Sequence, residues 1–122
     1  MREPKTGIDR ILSATSNSMS GIKGCWQHDE AFRQDTMLSL VLLAASFFVA
    51  ESPIQWLLLI LPLFLLLIIE CVNSAIEATV DRIGPEFHDL SGRAKDAASA
   101  AVFFCLCFIA LSWGAVIWSN FS

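Results

Sequence analysis

Residues 97–118 read AASAAVFFCLCFIALSWGAVIW, an uninterrupted run without a charged side chain. As a helix rising 1.5 Å per residue it extends about 33 Å, which matches the hydrocarbon thickness of a bilayer. This run sets the fold class as membrane-spanning helix. Upstream, residues 54–69 (IQWLLLILPLFLLLII) form a second apolar run, which begins after Pro53 and is expected to continue as a polar helix until Gly84-Pro85 stops it. Pro62 is a candidate kink within it. Residues 36–50 form a third, shorter run, which Ala31 and Phe32 lengthen while Arg33 snorkels.

The charges respect these runs. Of the 8 Lys/Arg and 12 Asp/Glu in the 122 residues, ten fall in residues 1–35, only Glu51 falls in 36–69, and none follows Asp96. Apolar residues make up 55% of the chain and the mean hydropathy is +0.59, too apolar for a soluble domain of this size. The net charge of −4 and the mixed signs exclude a nucleic-acid binder, which would show a basic stripe. Residues 1–35 carry five Lys/Arg, residues 81–96 carry three, and the 51–53 connection and the tail carry none. Three crossings put both basic segments on one side, which the positive-inside rule makes cytoplasmic, with the C-terminus outside. Trp56 and Trp118 then fit the outer aromatic belt.

Before the first span, Ile8, Ile11, Leu12, Met19, Ile22 and Trp26 fall on one helical stripe opposite Arg10, Ser13, Asn17 and Ser20. This is the pattern of an amphipathic helix on a membrane surface, with Gly21 and Gly24 expected to loosen its end. No signal-peptide run precedes it, so the first span is expected to direct insertion. The expected organisation is one all-α membrane domain over 1–122, with a surface helix at about 8–26 and membrane helices at about 31–50, 54–83 and 93–119. Cys25, Cys71, Cys105 and Cys107 form no CxxC pair, and three of them lie in apolar stretches. They read as packing thiols without a disulfide framework.

Chemistry concentrates in residues 70–84, ECVNSAIEATVDRIG. At 100° per residue, Glu70, Glu77 and Asp81 lie within about 20° of one line, with Asn73 and Ser74 beside it. Counting a span from Ile54 leaves Glu70 just inside the apolar layer and Glu77 outside it. An ionisable residue within a membrane costs roughly 2.5–3.5 kcal/mol on insertion scales, so Glu70 is there for function. The acids further along could simply decorate a solvated helix end. The second cluster is residues 85–96, PEFHDLSGRAKD, where Arg93 and Lys95 are expected at a helix N-terminus suited to phosphate, or else mark topology. No GxxxxGK[ST] loop or soluble-kinase signature set is present.

The segments from Glu70 to Gly84 and from Ser91 to Asp96 resemble the signature of the prokaryotic integral-membrane diacylglycerol kinases. Arg10, the Ala31-Phe32-Arg33-Gln34 segment and the three-span plan match as well, so the resemblance covers nearly the whole chain. It implies a homotrimer in a bacterial inner membrane, with a cytoplasmic N-terminus and a periplasmic C-terminus. It also implies ATP as donor, Mg2+ as cofactor and diacylglycerol as acceptor. Carried over by position, Glu70 becomes the catalytic base, Asn73 orients the reacting groups, and Glu77 with Asp29 holds the metal and ATP. Arg10, Asn17, Glu86, Phe87, His88, Lys95 and Asp96 would line the nucleotide. Ala31, Phe32, Arg33, Gln34, Asp35, Glu70, Ser99 and Trp113 would meet the lipid.

Two positions depart from the family pattern. Asp29-Glu30 stands where the family commonly has Glu and a small residue, so the second metal ligand is Asp29, one methylene shorter, or Glu30. Asn17 stands where an aromatic is more common. Family members that phosphorylate undecaprenol share the inner-helix motif. Outside the family, a proton-coupled transporter would also want an intramembrane carboxylate, but it has no use for the basic loop. In a purely structural membrane protein the small-residue run 97–101 would be a packing face.

Overall fold

The computed structural model describes residues 6–122, and these form four helices in the order expected: α1 (Gly7–His28), α2 (Glu30–Val49), α3 (Pro53–Ile83) and α4 (Asp89–Phe121). The last three are long and apolar enough to cross a membrane. Side chains explain each boundary. Asp29 separates α1 from α2 in extended conformation, and its carboxylate accepts from the Phe32 N–H at 3.1 Å as the N-cap of α2. Arg33 reaches back to donate to the Trp26 carbonyl at 2.7 Å, satisfying the end of α1. Ser52 caps α3 through the Gln55 N–H, Pro53 opens that helix and Gly84 closes it.

Two expectations need correction. α1 runs unbroken through Gly21 and Gly24 to His28, because a helical glycine costs only about 1 kcal/mol relative to alanine. α3 runs, as expected, as one 31-residue helix with Pro62 inside it. One residue beyond the Leu58 carbonyl that Pro62 cannot serve, the Leu59 carbonyl accepts from Trp113 Nε1 at 3.0 Å, a neighbouring helix supplying a donor inside the membrane. α4 starts at Asp89 and not near 93, since His88 caps it by accepting the Leu90 N–H on Nδ1 at 3.1 Å. Arg93 and Lys95 therefore stand a turn or more inside the helix, beyond its free N–H groups.

The core lies between α3 and α4, where Leu59, Leu63 and Leu66 pack against Cys105, Ile109, Trp113 and Val116, with α2 closing over them. At one end, Asn120 Nδ2 donates to the Val49 carbonyl at 2.8 Å and to Gln55 Oε1 at 2.9 Å, while Gln55 Nε2 donates back to Asn120 Oδ1 at 2.8 Å. Phe47 stacks on Trp56 beside this clamp with ring centroids 5.5 Å apart. The opposite end gathers α1, the start of α2, the end of α3 and the start of α4. All of the described Lys and Arg residues lie at that basic end. No residue of α1 is buried, and Ile8, Ile11, Leu12, Met19, Ile22 and Trp26 are all exposed, the apolar face expected of a surface helix.

Candidate active site

Glu70 and Asn73 project from α3 where the apolar layer ends, and both are buried, Glu70 to 1% exposure. Glu70 Oε2 and Asn73 Oδ1 have no hydrogen-bond partner, and neither has Asp29 Oδ2 at the head of α2. Buried polar oxygens are nearly always satisfied, so three orphans at one end of a small bundle mark a place where a ligand belongs. Asp35, Asp29 and Glu77 all lie close enough to act on the charge of Glu70. The helical line drawn from the sequence is therefore real. It runs from buried Glu70 to exposed Glu77 and Asp81, and it gains two acids from the neighbouring segment.

Beyond it, a cavity of about 300 Å3 is lined by Asp81, Glu86, Phe87, His88, Gly92 and Lys95, among others. Four of the residues expected at the nucleotide thus share one pocket. Glu86 fits against Gly84, where an added methyl would come within 3.0 Å of its Oε2. With Nδ1 engaged as the cap, His88 keeps Nε2 free to donate. Lys95 Nζ is bound to Asp81 Oδ1 at 2.7 Å, and that carboxylate raises the ammonium above its usual pKa. Asp81, left without a role by sequence reasoning, is the lysine's partner, and its place on the acidic helical line was the available signal.

Other expected residues lie apart. Arg10 is exposed and Asn17 half-buried on α1, both outside this cavity, and Asp96 is exposed beside it. Of the lipid set, Ala31, Gln34 and Ser99 are exposed, Arg33 and Asp35 are half-buried, and Phe32 is buried. Trp113 is bound to Leu59, eleven residues before Glu70 or about 16 Å along α3, at the depth of an acyl chain and away from the reacting groups. Glu30 is exposed and its Oε1 accepts from Gln34 at 3.4 Å.

Comparison with known proteins agrees with this geometry. Residues 16–117 match the model of the family described as prokaryotic diacylglycerol kinase. The chain belongs to that family. It is 40% identical to a diacylglycerol kinase of Escherichia coli strain K12 over 121 residues, 99% of each chain. The Haemophilus influenzae diacylglycerol kinase is 40% identical over 112 residues, 92% of this chain and 95% of the relative. One from Helicobacter pylori strain 26695 is 43% identical over 108 residues, 88% and 84% of the two chains. Family membership and three membrane-length helices make the chain a bacterial membrane enzyme. A kinase of this family draws its phosphoryl group from ATP.

The resemblance implies a divalent ion, and the donor set can be tested against it. Among the described residues no three His, Cys, Asp or Glu side chains form a ready cage. Magnesium does not need one, since it keeps several waters and is usually held by one or two carboxylates plus substrate phosphate. Asp29, with a free buried oxygen, and Glu77, two turns beyond Glu70, supply such a pair. The residues fit the ion.

Proposed function

We propose that this chain transfers the γ-phosphoryl group of ATP directly to the hydroxyl of diacylglycerol at the cytoplasmic boundary of a bacterial inner membrane. The observation that carries the reading is the orphaned Glu70 Oε2, buried directly after the apolar run of α3. Glu70 accepts the hydroxyl proton as the lipid oxygen bonds to phosphorus, and the bridging oxygen leaves with ADP. Asn73, one turn away, orients the hydroxyl and the γ-phosphate through its amide. Transfer then needs alignment and charge neutralisation, with no phosphoenzyme.

Asp29 and Glu77 hold magnesium, which when bound neutralises phosphate charge and aligns the phosphate chain. The buried free oxygen of Asp29, set against the exposed and engaged Glu30, favours Asp29 as the second ligand. Lys95 turns from Asp81 to the phosphates as the nucleotide enters, and His88 donates from Nε2. Arg10, Asn17, Glu86, Phe87 and Asp96 complete the nucleotide surroundings. Residues 31–35, Ser99 and Trp113 guide the lipid. Arg10 and Asn17 stand outside the cavity, and α1 buries nothing within one chain, which supports a homotrimer in which neighbouring subunits complete each site. The N-terminus is cytoplasmic and the C-terminus periplasmic, supported by the gathering of Lys and Arg at one end.

The test supplies purified protein with Mg-ATP labelled at the γ position and, separately, diacylglycerol and undecaprenol. Label should pass into diacylglycerol. Label in undecaprenol alone would reassign the acceptor, and none in either lipid would overturn the kinase reading.

A further inference from the structure

A second groove, about 620 Å3, runs between α1 and α3, and the chemistry above leaves it unused. Its walls are small: Ser18, Gly21 and Gly24 on α1 stand opposite Ser74, Ala75 and Ala78 on α3. Small residues on both sides let two helix backbones come close. At the level of Glu70 the groove holds two free, half-buried thiols, Cys25 from α1 and Cys71 from α3, close enough for one side chain to act on the other. The sequence alone reads all four cysteines as packing. The fold separates this pair, which bridges two helices, from Cys105 and Cys107, which share one helix and point apart.

We propose that Cys25 and Cys71 are a reversible redox pair whose disulfide staples α1 to α3 beside Glu70 and stops turnover. This inference rests on the kinase reading only for its activity readout. The oxidant is a peroxide. The sulfur of Cys25, on the surface helix, attacks one peroxide oxygen, releasing water and leaving a sulfenic acid. The sulfur of Cys71 then displaces the sulfenic oxygen as a second water, so two thiols lose two electrons and one hydrogen peroxide becomes two waters. A cytosolic dithiol reverses the bond by exchange. In a reducing compartment such a disulfide is transient, as a sensor requires.

The mechanical link to catalysis is short. The Asp29 N–H donates to the Cys25 carbonyl at 2.9 Å, so drawing Cys25 toward α3 moves the backbone of the proposed metal ligand. On the other side Cys71 adjoins Glu70 in sequence and precedes Asn73 by two residues. α1 has no buried residue to anchor it, so one covalent bond at this level changes its freedom more than any contact it now makes.

The full chain in lipid nanodiscs, titrated with hydrogen peroxide, provides the test. Peptide mapping should find Cys25 linked to Cys71. Diacylglycerol phosphorylation should fall about tenfold or more, as expected when a needed motion is blocked, and return with dithiothreitol. Cys25→Ser and Cys71→Ser should keep parental activity before and after peroxide. Oxidation at other thiols without this link, a link only between subunits, or a complete link without loss of activity would each overturn the proposal. The map of the unmutated chain decides the pairing even if a serine variant folds poorly, or if the chain phosphorylates a different lipid.

Discussion

The two ends of the bundle handle buried polar groups in opposite ways. At the end away from the described Lys and Arg residues, the Gln55 and Asn120 amides satisfy each other and the Val49 carbonyl, and Trp113 satisfies Leu59. At the basic end Asp29, Glu70 and Asn73 each keep a buried oxygen without a partner. A buried polar group costs more unpaired than paired, so the amide clamp stabilises its end, and on the proposed reading the basic end keeps open valences for substrate and ion. The other unpartnered buried atoms lie apart from the acids: Thr36 and Ser39 border a small cavity on the apolar part of α2, and Trp56 Nε1 lies beside the amide clamp, its ring against Phe47. Among the described residues, only the basic end combines orphaned oxygens with concentrated acid charge.

The sharpest way to break this contrast is Glu70→Gln. Loss of a general base typically slows turnover by about 10² to 10⁴, and here Mg-ATP binding and thermal stability should remain near parental. The amide keeps size and reach, so a protein destabilised as much as it is inactivated would show that Glu70 belongs to the scaffold. Activity within tenfold of the parent would show that it is not the base.

The metal pair should give the next largest effect. Glu77→Gln and Asp29→Asn are expected to raise the magnesium concentration needed for half-maximal rate about tenfold or more, whereas Glu30→Gln should leave it within about twofold. Asp29→Asn keeps an oxygen for the Phe32 N–H, so the helix cap survives while charge is lost. A larger effect from Glu30→Gln would move the ligand by one residue. Removal of the Lys95 charge, as Lys95→Met, should raise the KM for ATP about tenfold with a smaller change in kcat. Asp81→Asn should leave that KM equal or lower, because it frees the lysine. A rise in KM with Asp81→Asn would mean that the ion pair is needed intact.

What the sequence made legible follows from the range of each interaction. Helix existence and the acidic line along α3 are local, set by charge gaps and a 3.6-residue period, and both hold in the structure. Single side chains shift the boundaries: the start of α4 depends on His88 acting as a cap, a use of imidazole that periodicity does not reveal. Contacts between helices were invisible. Asp35 read as a lipid neighbour and proves to stand beside Glu70, Lys95 read as a phosphate ligand and is bound to Asp81, and Cys25 meets Cys71 across a groove. Gln55 and Asn120, 65 positions apart, carried no sequence signal at all.

That last pair allows the smallest and most discriminating test, because its effect on turnover should be nearly nil. Asn120→Leu strands the Val49 carbonyl and the Gln55 amide, and Gln55→Leu strands Asn120 and the Glu51 N–H that Gln55 Oε1 accepts at 2.9 Å, so each single change should cost about 1–3 kcal/mol of stability. Replacing both removes two mutually dependent groups. The double variant should therefore lose less than the sum of the singles, with a coupling of about 0.5–3 kcal/mol measurable by thermal or denaturant unfolding in micelles. Per folded molecule, phosphorylation of lipid should stay within about twofold of the parent, since Gln55 lies about 22 Å along α3 from Glu70 and the clamp shares no partner with it. Additive losses would mean that the amides act separately, each on its own backbone group. A drop in turnover larger than the drop in folded fraction would mean that the clamp sets the geometry of the basic end, and the division between a satisfied scaffold and an unsatisfied site would have to be abandoned.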